Sequence, residues 1–352
     1  MKRFFDVFIY LVFTLFFISC GSTQNMDSAR AASYYVRANG SDSNSGLSEK
    51  TPFKTLTHAL EVASKTSIKK ITVIGTLNED VSTMDVAPVL RVPERHIDDP
   101  NPGEILITGK LNAASSKRAV LTSSKRYALI VASFVFIRME NIEISGCNGE
   151  NPILVYTGEL TLARGAKVTK NKGSVCGGIR VTDRATLIMR DNAEVSYNMG
   201  FGAGGGILIE DGSQGILLDN ALVTNNWGSS GGGIALRGST LILLNNAVVS
   251  DNSAINDGGG IATSTNREAG ISQITIAGNA AVLKNDAVTG GGIFLTGELI
   301  LQDNARIMEN SALNEGGGIF GGSNTASVTI GPNVILANNQ APKMPDTNFN
   351  FK

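Results

Sequence analysis

Opposed carboxylates, a cluster of cations or a group of aromatic rings would each give this chain a chemistry. Asp191, Asp219 and Asp303 recur at one offset, just before an asparagine, and as an unbroken column they would be calcium ligands. Asn245 and Gly278 interrupt the column, which favours solvated turn residues. Glu210 and Arg237 fall side by side on neighbouring repeats. They read as a cross-strand ion pair, not as the two facing carboxylates that glycoside cleavage generally needs. Gly200-Phe201-Gly202-Ala203-Gly204-Gly205 matches Gly-x-Gly-x-x-Gly. A dinucleotide site needs a helix after that motif, and Ile207-Leu208-Ile209 reads as a strand. No catalytic residue, metal ligand or cofactor is therefore expected.

Three features suit binding. Tyr197, Phe201 and Trp227, the only tryptophan, cluster around corner asparagines of adjacent repeats and can stack on sugars or anchor an interface. Lys110, Lys117, Arg118, Lys125, Arg126 and Arg138 lie in a stretch without acids from Ile105 to Met139. This basic patch, centred on Lys117, Arg118, Lys125 and Arg126, can meet lipid headgroups or anionic glycan. An outward stripe of Leu208, Ala235, Ala262, Phe294 and Phe320 can meet a partner. The net charge of −1 gives no footprint for nucleic acid.

The elements that position these residues come from a repeat. Gly-Gly-Gly-Ile stands at Gly204–Ile207, Gly231–Ile234, Gly258–Ile261, Gly290–Ile293 and Gly316–Ile319, after a degenerate Cys176-Gly177-Gly178-Ile179. Its isoleucines are 26 to 32 residues apart, the period of a solenoid. A second signature has apolar residues five and three positions before an Asn, an aliphatic three after it and a second Asn six after it. The closing residues are Asn171, Asn198, Asn226, Asn252, Asn285, Asn310 and Asn339, predicted to stack as a structural ladder. Gly215 stands where an apolar residue belongs. Each copy holds about three short alternating segments and no helical spacing, which predicts an all-β, right-handed parallel β-helix with coils of about 27 residues. Glycines would form one corner and asparagines another. Only 6% of residues are aromatic, so the core must be aliphatic. Cys147 takes the place of a ladder asparagine; with Cys176 it forms either a disulfide or two buried thiols. His58 and His96 lie outside the repeats.

Three segments resemble known families. Lys2-Arg3 and the apolar run Phe4 to Ile18 form a signal segment that ends in Phe17-Ile18-Ser19-Cys20-Gly21. This is similar to the lipobox of bacterial lipoproteins, which implies cleavage before Cys20 and its lipidation. The Gly-Ile and aliphatic-x-x-Asn pairing resembles the polymorphic outer membrane protein repeats over roughly residues 160–340, with Val, Ile or Leu in place of the family's Phe. No autotransporter barrel follows Lys352, so a lipid anchor is expected in place of self-export. Residues 34–65 look like the opening of pectin-lyase-like β-helix proteins: Tyr34-Tyr35-Val36, a Gly40–Gly46 loop, then Thr51-Pro52-Phe53-Lys54-Thr55-Leu56. Thr51 is the predicted N-cap and Pro52 the first residue of a helix whose apolar face is Phe53, Leu56, Leu60 and Ala63. That helix would cover the first coil. Phe349 and Phe351 would cover the last.

The expected organisation is a signal peptide over 1–19, a tether over 20–33, a cap helix and irregular coils over 34–148, regular coils over 149–340 and a tail over 341–352. The expected function is that of a membrane-anchored lipoprotein at the bacterial outer membrane or cell surface, exposed on the surface or on the periplasmic face. It would bind or display in an adhesin-like way, with host protein, matrix or glycan as partner. The alternative is a polysaccharide lyase or glycoside hydrolase on the same fold.

Overall fold

Alternation within segments of three to five residues, repeated every coil, turns into strands that pair with the next coil and not with their neighbours in sequence. The computed structural model describes residues 32–82, 103–111, 117–132, 135–266, 268–324, 326–347 and 349. The signal segment, Cys20, His96 and Phe351 lie outside the described residues. Four parallel sheets run along one axis. In the order met around a coil, sheet A has 11 strands, from Tyr34–Arg37 to Ser327–Ile330; sheet B has ten, from Thr76–Asn78 to Ile335–Ala337; sheet C has seven, from Asn148–Gly149 to Ser311–Glu315; and sheet D has nine, from Val81–Ser82 to Ile319–Gly321.

The spacing predicts three strands per coil, and the structure corrects this to four from residue 148 onward. Sheet C carries no apolar alternation because it has no core to face. Its inward positions include Gly173, Gly200, Gly228, Ala254, Ala287 and Ala312. A Cβ on Gly228 would stand 2.7 Å from the backbone nitrogen of Gly205, so backbone packs directly on backbone here. The glycine triplets and the asparagines are accordingly one corner, not two. The third glycine of each triplet lies against a ladder amide, as Gly233 does against Asn252 and Gly292 against Asn310.

Sheets A, B and D enclose the aliphatic core. Ile179, Ile207, Ile234, Ile261, Ile293 and Ile319 pair in register and are all fully buried. So are Val168, Val195, Val223, Val249, Val282 and Ile307 on sheet B. Each such side chain contributes about 1.5–3 kcal/mol. Where Gly215 breaks the Leu column, the Ile209 side chain fills the space that a Cβ would take.

The ladder runs unbroken from Asn171 to Asn339. Each amide spans three coils. Asn252 Nδ2 donates back to Val223 O and forward to Asn285 Oδ1, both at 3.0 Å, while its Oδ1 accepts from the backbone and side-chain nitrogens of Asn226 at 2.9 and 3.0 Å. Cys147 occupies the ladder position of its coil and donates its backbone N–H to Asn171 Oδ1. At the far end Asn339 Nδ2 donates to Asp346 Oδ1 in the tail. Just before most ladder asparagines stands a residue with positive φ, such as Tyr197, Asn225, Asp251 and Lys284, which turns the chain from sheet B to sheet C.

Helix α1 spans Leu56–Lys65 and packs on the first strands of sheet A. Its N-cap is Thr55, not the predicted Thr51, and Thr55 Oγ1 accepts from His58 N at 3.2 Å. Pro52 and Phe53 stay extended because Phe53 bridges to Val36 in the first strand. The buried face is Leu56, Ala59, Leu60 and Ala63. At the other end Gln340, Lys343 and Thr347 bridge to Ser311, Glu315 and Ile319, and Phe349 packs against the core. The tail thereby covers sheets C and D.

Two carboxylates bind the start of α1. Asp42 accepts from the backbone nitrogens of Lys54 and Thr55, and these bonds lower its pKa despite partial burial. Glu79 accepts from Leu56 N and Thr57 N, yet burial, with Asp42 and Asp80 nearby, pushes it up to about 7. A carboxyl raised in the folded state favours folding most at low pH. That contribution is lost as pH rises from the ordinary value of 4.5 through about 7. Acidifying from pH 8 to 5 is therefore expected to raise amide-exchange protection of α1 in the wild type relative to Glu79→Gln. Parallel profiles for the two proteins would contradict it.

Asn151 stands in the column of the second triplet glycine, one coil before Gly177. It is fully buried, and neither side-chain atom of its amide has a partner. Asn151→Ala is expected to raise stability by about 1 kcal/mol, the desolvation penalty less the packing lost. A lower denaturant midpoint for this variant would count against that reading.

Candidate functional site

The corner between sheets B and C projects side chains that no repeat requires. Tyr197 holds the positive-φ position before Asn198, at φ 54°, and is 58% exposed. Trp227 follows Asn226 directly and opens a sheet C strand, paired with Met199 of the preceding coil. Phe201 lies where the register between these two strands shifts, and it is 59% exposed. The bulge turns Phe201 outward onto Trp227, with ring centroids 6.2 Å apart and planes at 75°. The structure thus brings two of the three predicted aromatics into contact. Tyr197 makes no ring contact with them and stands on the adjoining turn. Ser229, beside Trp227, donates its hydroxyl to Gly202 O and ties the two coils together under the rings. Phe201 is exposed and Trp227 half-buried, so this edge-to-face pair on a rigid corner can meet a ligand at little ordering cost.

The basic stretch is not the uniform face that its sequence predicts. Lys110 pairs with Glu49 at 2.5 Å, Lys125 with Asp80 at 3.3 Å, Arg126 with Glu150 at 2.7 Å and Arg138 with Glu140 at 2.7 Å. Asp80 and Glu150 belong to neighbouring coils, so part of an acid-free run in sequence is neutralised across strands. Lys117 and Arg118 make no ion pair among the described residues.

The outward stripe on sheet D is in the predicted register but is not an exposed apolar surface. Leu208, Ala235 and Ala262 are buried, with Val175, Cys176 and Ala203 of the corner packed over the first of them. Phe294 and Phe320 stay half-exposed and stacked at 5.8 Å. Glu210 is buried between two arginines, 2.5 Å from Arg180 Nη2 and 3.5 Å from Arg237 Nη1. It is held as a structural bridge across three coils. Asp191 and Asp219 accept backbone N–H bonds from the preceding coil, and Asp303 does so from Gly278. Asp191, Asp219 and Asp303 are turn residues. Cys147 and Cys176 are free and buried, and burial pushes the Cys176 thiol up to about 12, which leaves it unreactive.

Asp257 escapes sequence reasoning. It lines a cleft of about 230 Å³ with Arg237, Ser264, Phe294 and Thr296, and burial raises its pKa. Its row on the other coils reads Ala203, Ser230, Thr289 and Glu315, so no recurrence marks it.

Among the described residues no helix is long and apolar enough to cross a membrane. A family model described as right handed beta helix region matches residues 105–281, half of the chain. No curated protein matches. The match begins at the sheet A strand Ile105–Lys110 and ends at the sheet B strand Ala281–Leu283, well inside the ladder.

Proposed function

We propose that this chain, which belongs to the right-handed β-helix family, is a binding and display scaffold. It is held at a membrane by lipid on Cys20, exposed at the bacterial outer membrane or cell surface, and adhesin-like in use. The observation that carries the binding reading is the Phe201–Trp227 pair beside Tyr197. All three stand on a corner whose stacking is already complete without them. The partner would be a glycan or a host or matrix protein that offers a flat apolar face. Protease shaving and antibody labelling of intact cells test the location. Resistance to both would sink the surface reading.

One observation favours a second reading, a carbohydrate-active enzyme. Asp257 has a raised pKa in a cleft walled by Phe294, and Glu315 stands two strands along the same row. Two strand spacings put the two backbones about 10 Å apart, a span that leaves room for a sugar between their side chains. Purified protein would then release reducing ends or unsaturated products from acidic polysaccharides, and Asp257→Asn would abolish the release.

A further inference from the structure

A cleft lies toward the N-terminal end of the solenoid, where the first strands of sheets A and B turn into each other. It measures about 770 Å³. Arg37, Lys110, Lys117 and Arg118 line it together with Glu49 and Glu143, four cations against two acids, a net charge of +2. Glu49 is taken up by Lys110 at 2.5 Å. Arg37, Lys117 and Arg118 make no ion pair among the described residues, unlike Lys125, Arg126 and Arg138 nearby.

Arg118 has no carboxylate in ion-pair contact among the described residues; its charge acts at longer range on Glu194, whose carboxyl pairs with Lys167. Its guanidinium lies over Gly165, where Nη2 would be 3.1 Å from a Cβ, so a larger residue there would push it away. Its Nε is buried and has no hydrogen-bond partner. An arginine with no carboxylate in contact, lining a concave site with two further cations, is an arrangement that receives an oxyanion, because the guanidinium fork matches two oxygens at once. The net charge matches a dianion, and the volume exceeds a bare ion.

We propose that this cleft is a binding site for a phosphate monoester. The phosphate sits among Arg37, Lys117 and Arg118, and the rest of the ligand fills the remaining space. The ester can belong to a lipid headgroup or to a soluble metabolite. This site is independent of the aromatic corner.

The test uses the full chain purified in detergent, at pH 8 and low salt, titrated with inorganic phosphate by calorimetry. Saturable binding of one phosphate per chain is expected, weakened tenfold or more in Arg37→Gln/Lys117→Gln and in Arg118→Gln. It should be unchanged in Lys284→Gln, which removes a cation paired with Glu309 on a distant coil. A flotation arm compares phosphatidylcholine vesicles with and without phosphatidic acid. Binding to the latter that inorganic phosphate displaces identifies a lipid source, and phosphate binding without flotation identifies a soluble one. Absence of phosphate binding in the wild type, or equal weakening in Lys284→Gln, would overturn the site. Vesicle binding that phosphate does not displace would overturn it too, since it would report only diffuse attraction.

Discussion

Asn252→Ala is expected to be strongly damaging, as for the other interior amides of the ladder. The change deletes two donated and two accepted hydrogen bonds at once. It leaves Val223 O and the Asn226 backbone N–H without the amide in a fully buried site. At about 1–3 kcal/mol for each buried group left unpaired, the loss should reach about 3–5 kcal/mol. Position should matter as well as chemistry. Asn339 ends the ladder, is 7% exposed and hands one bond to Asp346 of the tail, so Asn339→Ala should cost clearly less. A solenoid is held by nearest-neighbour contacts, so a break in the middle should also split the unfolding transition. Denaturant titration followed by circular dichroism reads both effects. Equal midpoints for the two variants would show that the amides are not the coupling between coils.

Gly259→Ala is expected to do comparable damage by a different cause. The added methyl would stand 2.5 Å from Gly291 O and 2.6 Å from Asp286 C, both backbone atoms of the next coil. Neither can move without opening sheet C from the ladder. The preceding Gly258 adds a second constraint, since its φ of 61° suits glycine. Overpacking against backbone should cost about 3 kcal/mol or more. Gly215→Ala makes the contrast. There the added methyl meets the flexible end of Ile209, which can rotate, so the loss should be small. If Gly259→Ala folds with wild-type stability, the backbone-on-backbone corner is wrong.

The columns were legible in the sequence because every coil imposes the same demand on the same position. An inward Ile at 207 meets an inward Ile at 234 and 261, and only one side-chain class fits. The ladder was legible for the same reason. What the sequence hid are relations between coils that do not recur. Arg126 finds Glu150 and Arg180 finds Glu210, each roughly one coil away, so charge counted along the chain misjudged charge on the surface. Sheet C was hidden because strands such as Trp227–Ser230 carry Gly and Ser where a strand normally alternates, and only stacking makes them pair. The N-cap moved from Thr51 to Thr55 because the bridge of Phe53 to Val36 outweighs a local helix start. Asp257 sits in a row of unlike residues, and its burial depends on Phe294 in the next coil.

On the proposed reading the repeat supplies the rigid frame, and the residues that break the pattern supply the binding surface. Tyr197→Asn with Phe201→Ser tests this most directly. Asn already holds the equivalent turn at Asn225 and Asn338, and both aromatic side chains are mostly solvated, so folding should be untouched. Binding of the purified chain to an array of glycans and matrix proteins should fall tenfold or more against the wild type at an unchanged denaturant midpoint. Undiminished binding by the double variant would contradict the account and remove the aromatic corner as the site.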